Sequence, residues 1–234
     1  SMAQRKKIPD IVIKRLPIYY RFLTNLHQMG ISRVSSSDLG KKMGITSSQV
    51  RQDFFNFGSF GLQGYGYDVE QLRQEIGNIL GLNKQRTMII IGAGHLGQAL
   101  ARHSAFEKDG YSVIGIFDVN PHLVGTKIRD IDIMHVNQLT KFCQEHKVDI
   151  AVITVPRTYA KEVADLVISL GIKGIWNFTS VKLTVPDNVA VENIHLSDSL
   201  MTLGYYVKCL QEREEEEAAR QPENGEDEDG EEEE

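Results

Sequence analysis

Apolar residues follow one period in the first third of the chain and another period in the remainder. From Asp10 to Met29 they recur at helical spacing, which predicts an amphipathic helix that also carries the basic residues Lys14, Arg15 and Arg21. Pro17 falls inside this pattern, so we expect the helix to start or kink there, and Gly30 to end it. The apolar positions are Ile11, Ile13, Leu16, Tyr19, Tyr20, Leu23 and Leu26.

The next stretch predicts two short helices joined by a glycine turn. Ser36 or Ser37 is placed to cap a helix that continues through Lys42, and Gly44 supplies the turn. Thr46, with a glutamine three residues later, matches a capping box that begins the second helix. This is the pattern of a helix-turn-helix motif, although similar helical hairpins occur in proteins that bind no DNA.

The second of these helices carries polar side chains that suit DNA. Arginine can read guanine edges and glutamine adenine edges in the major groove, and serines at helix starts can contact phosphates. The side chains expected to face outward are Ser47, Ser48, Arg51 and Gln52, and those expected to face inward are Val50, Phe54 and Phe55. The predicted DNA contacts of this motif are Ser36, Thr46, Ser47, Ser48, Gln49, Arg51 and Gln52.

A glycine-rich segment, FGSFGLQGYGY, follows the second helix from Phe57 to Tyr67. It has four glycines among alternating aromatic residues, which is typical of the hairpin called a wing. A wing would reach the sugar-phosphate backbone or the minor groove and would add Gln63, Gly64 and Tyr65 to the predicted DNA contacts. A plain β-turn is the alternative interpretation.

Beyond a further helix, which Asp68 caps and which we expect to end at Leu82, the apolar residues form short continuous runs. Such runs are typical of strands that are buried on both faces of a parallel sheet. The predicted strands are Met88–Ile91, Val113–Phe117, Ile150–Val155 and Gly174–Phe178, and the helices between them are Leu96–Lys108, Val136–His146 and Tyr159–Leu170. This alternation predicts an α/β fold with a doubly wound parallel sheet.

The first of these strands leads into a complete GxGxxG turn, Gly92-Ala93-Gly94-His95-Leu96-Gly97. Gly92 permits the tight turn, Gly94 lets the backbone approach a pyrophosphate, and Gly97 lets helix and strand pack closely. Asp118 ends the next strand, 21 residues after Gly97, and is placed to bind a ribose 2′-OH. Its carboxylate would repel a 2′-phosphate, so NAD+ and NADH are favoured over NADP(H). A Rossmann-like sheet that binds nothing, or that binds another nucleotide such as coenzyme A, is the alternative.

Ligands of open α/β sheets bind beyond the carboxyl ends of the strands, and this rule extends the predicted cofactor site. Thr154 and Asn177 are placed to meet the nicotinamide end, although either residue would also serve simply to finish its strand. The complete predicted cofactor site is Gly92, Ala93, Gly94, His95, Leu96, Gly97, Asp118, Val119, Thr154, Pro156 and Asn177.

No catalytic residue is predicted. A dehydrogenase needs a proton donor beside the nicotinamide, and the candidates by residue type are His95, His103, His135 and His195. None of these histidines lies in a recognisable catalytic sequence. Only one helix and a tail follow the sheet, which leaves no length for a substrate domain.

The last predicted helix, His195 to Glu212, has apolar residues at i, i+4 and i+7 spacing. These residues are Leu196, Leu200, Leu203, Val207 and Leu210. Packing of this stripe on its own domain is the ordinary outcome, and exchange with a second subunit is the alternative. The acidic, low-complexity residues 213–234 are expected to be disordered.

The formal net charge of −6 conceals a segregation of charges along the chain. Ser1–Arg86 contains 13 basic and 6 acidic residues, a net of +7, whereas Gln211–Glu234 contains 14 acidic and 2 basic residues, a net of −12. The positive end suits a polyanion. Cys143 and Cys209 lie far apart without metal-ligand spacing, and we find no apolar run long enough to span a membrane and no secretory signal. We therefore expect a cytoplasmic protein that holds no metal.

In their order along the chain, these motifs resemble the Rex family of bacterial redox-sensing transcriptional repressors. The resemblance covers Ile8 to about Leu210 and rests on RLPIYYRFL, SSSDLGKKMGI, QVRQDFFNFGSFGLQGYGYDV, IIGAGHLGQAL, FDVN, VPR and GIKGIWNF. It implies a homodimer with an N-terminal winged helix-turn-helix, a Rossmann domain and a domain-swapped C-terminal helix in each subunit. It also implies binding to an inverted-repeat operator in double-stranded DNA and release when NADH replaces NAD+.

The resemblance further implies roles for single residues. Arg51 is the expected base reader of the recognition helix, and Gln52 stands where the family often has a basic residue. Some members couple cofactor binding to DNA binding through an arginine of the first helix, a tyrosine and an acid of the partner subunit. Arg21 matches the arginine, whereas His103 and His195 replace the other two residues.

The sequence thus predicts a winged-helix domain at 1–85, an NAD(H)-binding domain at 86–195, a dimerisation helix at 196–212 and an acidic tail at 213–234. The predicted function is a repressor that senses the ratio of NADH to NAD+. NADH would favour a closed pair whose recognition helices no longer match successive major grooves, which are roughly 34 Å apart. The alternatives are a small NAD-dependent oxidoreductase and a coenzyme A-binding module.

Overall fold

The two periodicities of the sequence produce helices in the first third of the chain and alternating strands and helices after it. The computed structural model describes residues 8–56, 61–62 and 66–221, with only the backbone described at 61–62. The helices are α1 (Asp10–Gln28), α2 (Ser36–Met43), α3 (Ser47–Phe55), α4 (Val69–Ile79), α5 (His95–Arg102), α6 (Ala105–Lys108), α7 (Leu139–Glu145), α8 (Ala160–Ser169) and α9 (Leu196–Arg220). The strands are β1 (Arg33–Val34), β2 (Gly61–Leu62), β3 (Gly66–Asp68), β4 (Arg86–Ile91), β5 (Tyr111–Asp118), β6 (Lys127–Ile128), β7 (Ile131–His135), β8 (Ile150–Ile153), β9 (Gly174–Asn177) and β10 (Ala190–Asn193).

These elements divide into two compact units. The first unit contains the chain up to Arg86 together with Ser104–Ser112, and the second contains the rest. The observed boundary lies one residue from the predicted one at 85. The sequence pattern does not reveal that Ser104–Ser112 belongs to the first unit, because this depends on contacts with residues that are distant along the chain. One of these is the hydrogen bond from the Arg86 N–H to the carbonyl oxygen of Gly110, at 2.8 Å.

The first unit packs its helices around one apolar cluster. Helix α1 begins at Asp10 and continues through Pro17, so Pro17 neither starts nor ends it. Ile11 and Ile13, which the pattern assigns to the apolar stripe, are exposed, and Val12 is buried instead. The large fully buried side chains of this cluster are Leu16, Tyr19, Leu23, Leu39, Phe54, Leu72 and Ile76.

A small antiparallel sheet completes the winged-helix arrangement. Strand β3 pairs with both β1 and β2, in the order β1-β3-β2. The β2–β3 hairpin follows α3, as expected of a wing, and its predicted DNA contacts at 63–65 lie outside the described residues. Helix α4 begins after its predicted cap, Asp68, but ends at Ile79 rather than Leu82, because Gly81 adopts a left-handed φ of +76°.

The second unit is built on a seven-stranded sheet with the order β10-β9-β8-β4-β5-β7-β6. The pairs β4–β8, β8–β9, β9–β10 and β5–β7 are parallel, and β6 runs antiparallel to β7 at one edge. Four of these strands, β4, β5, β8 and β9, correspond to the predicted apolar runs. After β5 the chain continues on one side of β4 and later crosses to β8 on the other, which gives the doubly wound topology and a switch point between β4 and β8.

The strands that the sequence pattern missed lie toward the edges of this sheet. Strand β10 has mostly exposed residues, and β7 has one buried position and an exposed aspartate, Asp132, so neither forms a continuous apolar run. The helix predicted at Leu96–Lys108 is also interrupted. It ends at Arg102, and His103 adopts an extended conformation before α6 begins.

Helix α9 extends well past Glu212, where the sequence pattern ends it, and continues to Arg220. The predicted disorder is therefore wrong for residues 213–220, whereas residues 222–234 lie outside the described part of the chain. Glutamate and alanine have high helix propensity, and Lys208 forms an i,i+4 ion pair with Glu212 at 3.4 Å. No residue of α9 is buried in the single chain.

Among the described residues, no helix combines the length and the apolar character that a membrane span requires.

Candidate functional site

The glycine turn after β4 is formed by backbone atoms that approach too closely for any side chain. Gly92 has a φ of +106°, and a Cβ atom there would lie 2.7 Å from the backbone carbonyl of Thr154. A Cβ atom at Gly97 would overlap the carbonyl oxygen of Gly92. Gly94, in contrast, has open space where its Cβ would be. The turn therefore packs tightly against β8 and leaves an exposed backbone at Gly94, which begins α5 without a side-chain cap.

Asp118 connects the end of β5 to this turn. Its Oδ2 accepts a hydrogen bond from the Ala93 N–H at 2.6 Å, and its Oδ1 accepts one from the Asn120 N–H at 2.7 Å. A carboxylate has about four acceptor positions, so these two bonds fix its orientation and leave capacity for ribose hydroxyls. Val119, next in sequence, is 63% exposed and offers an apolar surface beside the carboxylate.

The remaining predicted cofactor residues have different surroundings. The Thr154 hydroxyl donates to the carbonyl oxygen of Gly92 at 2.7 Å, so it braces the turn. Pro156 is exposed beyond the end of β8. Asn177 is fully buried. Its amide N–H groups donate to the Val181 carbonyl oxygen and to the Asn193 side-chain oxygen, each at 2.9 Å.

The Asn177 side chain is saturated in this structure. Besides the two bonds that it donates, its Oδ1 accepts hydrogen bonds from both the backbone N–H and the hydroxyl of Thr179. No hydrogen-bonding group of its amide is left to reach a nicotinamide. These bonds are the ones expected of a residue that finishes its strand, and a contact of Asn177 with the nicotinamide stays a prediction.

The helix-turn-helix in the first unit has the predicted caps with one shift. Ser35, rather than Ser36 or Ser37, caps α2 by accepting a 3.0 Å hydrogen bond from the N–H three residues later. Gly44 ends α2 with a left-handed φ of +71°. Thr46 caps α3 through a 3.1 Å hydrogen bond of the same kind, so the helix boundary predicted from the capping box is confirmed.

Helix α3 presents a polar face to solvent, and Arg51 is at its centre. One guanidinium nitrogen of Arg51 donates to the Ser36 hydroxyl at 3.2 Å and another to the Ser48 hydroxyl at 3.1 Å. The exposed predicted contacts are Thr46, Ser48, Arg51 and Gln52, and the half-buried ones are Ser36, Ser47 and Gln49. The side chain of Arg51 is thus held by hydroxyls of both α2 and α3.

A buried carboxylate lies behind this face, and the sequence pattern did not predict it. Asp53 is fully buried and accepts two hydrogen bonds of 2.7 Å from the Arg15 guanidinium. The Tyr19 hydroxyl donates to it at 2.7 Å and the Gln49 amide at 2.9 Å. The signal was present, because Asp53 shares a helix face with Val50 and an acid at a core position requires a partner.

These contacts determine the protonation of the cluster. Burial alone would raise the pKa of the Asp53 carboxyl, but the hydrogen bonds from Arg15, Tyr19 and Gln49 outweigh that effect and hold the pKa below its ordinary value. The hydrogen bond to Asp53 raises the pKa of Arg15. Burial, with the Asp53 bond, raises the pKa of the Tyr19 hydroxyl. The cluster is therefore an ion pair with a neutral tyrosine.

Phe55 lies on the other side of α3 from the one that the pattern predicts. It is expected to face inward, but its side chain is 74% exposed, whereas Phe54 is buried against Tyr19 and Tyr67. One residue corresponds to a rotation of about 100° on a helix, so two consecutive phenylalanines cannot both point at one core.

The four candidate histidines each lie at or next to the end of a helix. His95 is the exposed first residue of α5, and His103 and His195 lie at helix ends. The His135 Nδ1 accepts a hydrogen bond from the Asn137 N–H at 3.1 Å, which caps a short 3-10 helix. Within residues 8–56 and 66–221, no cluster of three histidine, cysteine or acidic side chains could hold a metal ion.

Two family models match separate parts of the chain. One, described as a putative DNA-binding protein N-terminus, matches residues 7–54. The other, described as a CoA binding domain, matches residues 83–181. These two ranges correspond to the helix-turn-helix and to most of the large sheet.

Curated relatives match nearly the whole chain. A protein named redox-sensing transcriptional repressor Rex from Thermoanaerobacter pseudethanolicus is 49% identical over 204 residues, which cover 87% of this chain and 91% of the relative. A protein of the same name from Caldicellulosiruptor saccharolyticus is 49% identical over 215 residues, which cover 91% of this chain and 98% of the relative.

Solved structures of one repressor, RSP, also match this chain over most of its length. The complex of RSP with NAD+ and operator DNA has a TM-score of 0.82 and 46% sequence identity, and the match covers 92% of this chain and 99% of RSP. The complex of RSP with NADH has a TM-score of 0.82 and 45% identity, and covers 89% of this chain and 98% of that one. RSP is described as a Rex-family repressor.

Proposed function

Because this chain belongs to the Rex family of redox-sensing transcriptional repressors, we propose that it binds an inverted-repeat operator as a homodimer and leaves it when NADH binds. The observation that carries this proposal is the likeness, over almost the whole chain, to a repressor whose complexes contain NAD+ with operator DNA in one case and NADH in another. Its relatives are regulators rather than enzymes. Because it would act on bacterial DNA, we place it in the cytoplasm.

The first unit supports the DNA-binding part of this function. Arg51 is exposed on α3 and already oriented by the hydroxyls of Ser36 and Ser48. Bidentate contact of an arginine with guanine is the commonest specific contact in the major groove. Gln52 is also exposed and could read an adjacent adenine, while Thr46 and Ser48 lie at the start of the helix, where phosphates bind.

The second unit supports NAD+ and NADH as its ligands. The exposed backbone at Gly94 suits a pyrophosphate, and Asp118 is held against the turn with acceptor capacity that suits a ribose diol. The same carboxylate would repel the phosphate that distinguishes NADP(H), and coenzyme A carries a phosphate on its own ribose. We therefore infer that the match to a CoA binding domain reflects the shared sheet and glycine turn.

Helix α9 supports the dimer. It carries a row of large apolar side chains that are all at least 43% exposed in the single chain, and a second copy of the chain is the occupant we propose for this face. This row consists of Leu196, Leu200, Leu203, Val207 and Leu210, and Met201, Tyr205 and Tyr206 are exposed elsewhere around the same helix. An exchanged helix of this kind would join two DNA-binding units, as an inverted repeat requires.

A redox signal can act only through unequal affinities. NAD+ and NADH differ by one hydride and one positive charge on the nicotinamide, so each form must favour a different arrangement of the dimer for DNA binding to change. The resemblance to the family implies that His103 and His195 replace a tyrosine and an acid that some members use, so we propose that the switch here does not use an ion pair of Arg21 with that acid.

The decisive experiment is operator binding at controlled cofactor ratios. A duplex with an inverted repeat would be selected by the wild-type protein from a random pool, and its affinity measured by gel shift while NADH is raised at constant NAD+. We expect affinity to fall as NADH rises. Equal affinity at every ratio would refute the proposed function.

Two controls separate this function from its alternatives. Coenzyme A added at the same concentrations should neither displace NADH nor change operator affinity. Incubation of the protein with NADH and small carbonyl compounds should leave NADH absorbance constant, whereas steady consumption of NADH would favour an oxidoreductase.

A further inference from the structure

The buried cluster around Asp53 holds the recognition helix through a carboxylate, a charged group whose burial carries a large desolvation penalty. All four donors, two from Arg15 and one each from Tyr19 and Gln49, converge on the two carboxylate oxygens within 2.9 Å. Replacement of a buried ion pair by apolar residues of similar volume is often neutral or stabilising. Stability alone therefore does not explain a charge at this core position. The geometry of the four hydrogen bonds instead fixes the orientation of α3.

A bidentate pair constrains rotation as well as distance. The planar guanidinium of Arg15 must keep both of its hydrogen bonds to Asp53 in one plane. A roll of α3 by about 10° would displace an atom about 6 Å from the helix axis by about 1 Å, which is enough to break a hydrogen bond. The cluster thus fixes the rotation of α3 about its own axis relative to α1.

The rotation of α3 decides where the base-reading side chains point. Two residues correspond to about 200° on a helix, so Asp53, which faces α1, places Arg51 on the opposite side. Gln49 lies one turn before Asp53, and its side-chain amide is hydrogen-bonded to Asp53 rather than exposed to a base. Gln52 is exposed and free of that bond.

We propose that Asp53 is a positioning residue that sets operator specificity: it fixes the roll of α3 and withdraws Gln49 from base reading, so that Arg51 and Gln52 are the readers. This inference rests on the proposed function, because it assumes that α3 is the recognition helix. It also revises one predicted DNA contact, since Gln49 would contribute to specificity only through Asp53.

The primary test is Asp53→Asn. An asparagine has nearly the same shape, but its amide group brings donors toward Arg15 or Gln49 and so cannot accept all four hydrogen bonds. The ratio of affinities for the selected operator and for a scrambled duplex of equal length would be measured at one salt concentration. We expect this ratio to fall about 5- to 150-fold, because misplacing one bidentate base contact costs about 1–3 kcal/mol.

The affinity for scrambled DNA is the internal reference. Non-specific binding depends on the basic surface and not on the roll of one helix, so it should change less than about three-fold. The matched control is Asp132→Asn, which makes the same change in charge at an exposed pair with Lys127 in the second unit. That variant should keep the wild-type ratio.

A structural role is separated from a positioning role by the apolar double variant Arg15→Met/Asp53→Leu. If the cluster served stability alone, a double variant as stable as the wild type would also recover the wild-type ratio. We expect it to fold, to bind NADH normally and still to have lost most of its operator preference. Recovery of the ratio would overturn the inference.

Arg15→Lys decides the question if either of the other variants fails to fold. Lysine keeps the charge but loses the planar fork, so the ratio should fall about three- to ten-fold with little loss of melting temperature. An unchanged ratio in this variant would contradict the inference. Gln49→Ala should leave the sequence preference unchanged at each individual base pair of the operator. Gln52→Ala should weaken the preference at one base pair.

The failure of this inference is distinguishable from failure of the proposed function. If wild-type protein and Asp132→Asn show no preference for any inverted repeat, the proposed function is wrong. If both show the preference and Asp53→Asn retains it in full, only the role of Asp53 is wrong.

Discussion

The two units of this protein form their candidate sites in opposite ways. In the first unit, DNA would meet side chains, with Arg51 oriented by two serine hydroxyls and the whole helix held by the buried Asp53. In the second unit, the cofactor would meet mainly backbone, in a turn where Gly92 and Gly97 leave no room for a Cβ atom. The first site is therefore sensitive to the removal of side-chain atoms, and the second to their addition.

The largest expected effect is in the glycine turn. Gly92→Ala places a Cβ atom 2.7 Å from the Thr154 backbone at a φ of +106°. Such a conformation costs about 1–3 kcal/mol for a residue with a side chain, and the overlap adds to it. We expect the melting temperature, measured by differential scanning calorimetry, to fall by several degrees. We also expect no NADH binding to be measurable by fluorescence titration.

Gly94→Ala is the matched control for this effect. Its Cβ atom would meet nothing within 4 Å, so stability should change by less than about 0.5 kcal/mol. NADH affinity should still fall, because the added methyl group occupies the space that a pyrophosphate would approach. Unchanged NADH affinity in Gly94→Ala would show that the cofactor does not use this turn.

The next effect concerns the first unit. Arg51→Ala removes the proposed base reader and should weaken operator binding by about 1–3 kcal/mol, with NADH affinity unchanged. Lys161→Ala removes the same charge from an exposed pair in the second unit and is the control for non-specific electrostatics. If both variants weaken operator binding equally, Arg51 contributes only its charge.

A smaller effect is expected at Asp118. Asp118→Asn keeps an acceptor for the Ala93 N–H but loses the negative charge. NADH affinity should fall by about 5- to 10-fold, and the discrimination against NADPH should decrease because the repulsion of its 2′-phosphate is lost. Isothermal titration with both dinucleotides measures the two quantities, and retained discrimination would mean that Asp118 does not contact the ribose.

The smallest effect is on acid stability. The pKa of Asp53 is lower in the folded protein than in the unfolded chain, so its ionisation stabilises the fold above the unfolded value, about 3.9. That contribution is lost as pH falls through the folded pKa. The urea midpoint of the wild type, followed by circular dichroism, should fall more steeply below about pH 4 than that of Arg15→Met/Asp53→Leu. Parallel curves would contradict this assignment.

Most of the fold was predictable because its elements have strong local signals. The buried strands β4, β5, β8 and β9 are continuous apolar runs, and Thr46 and Asp68 mark helix starts through short-range hydrogen bonds. Strands β7 and β10 were not predictable in the same way. They are defined by pairing with a neighbour that is distant in sequence, and their exposed residues give no apolar run.

The candidate site shows the same division. Gly92, Gly97 and Asp118 form a motif whose spacing alone predicts the turn. In the structure Gly97 packs against Gly92, and Asp118 is hydrogen-bonded to Ala93 of the same turn. Asp53 is different, because its partner Arg15 is 38 residues away and the pairing depends on how α1 packs on α3. Sequence patterns on a single helix can reveal that a polar residue faces the core, but not which residue satisfies it.

If the apolar row on α9 packs against a second copy as we propose, the stability of this protein depends on its concentration. Eight large side chains on this helix are exposed to solvent in the single chain. Association with a second copy would remove much of this apolar surface from water. By mass action, the melting temperature should then depend on protein concentration. It should fall on dilution until most of the protein is monomeric. At low cellular concentration a larger share of this protein would therefore be monomeric, with the apolar face of α9 exposed to solvent.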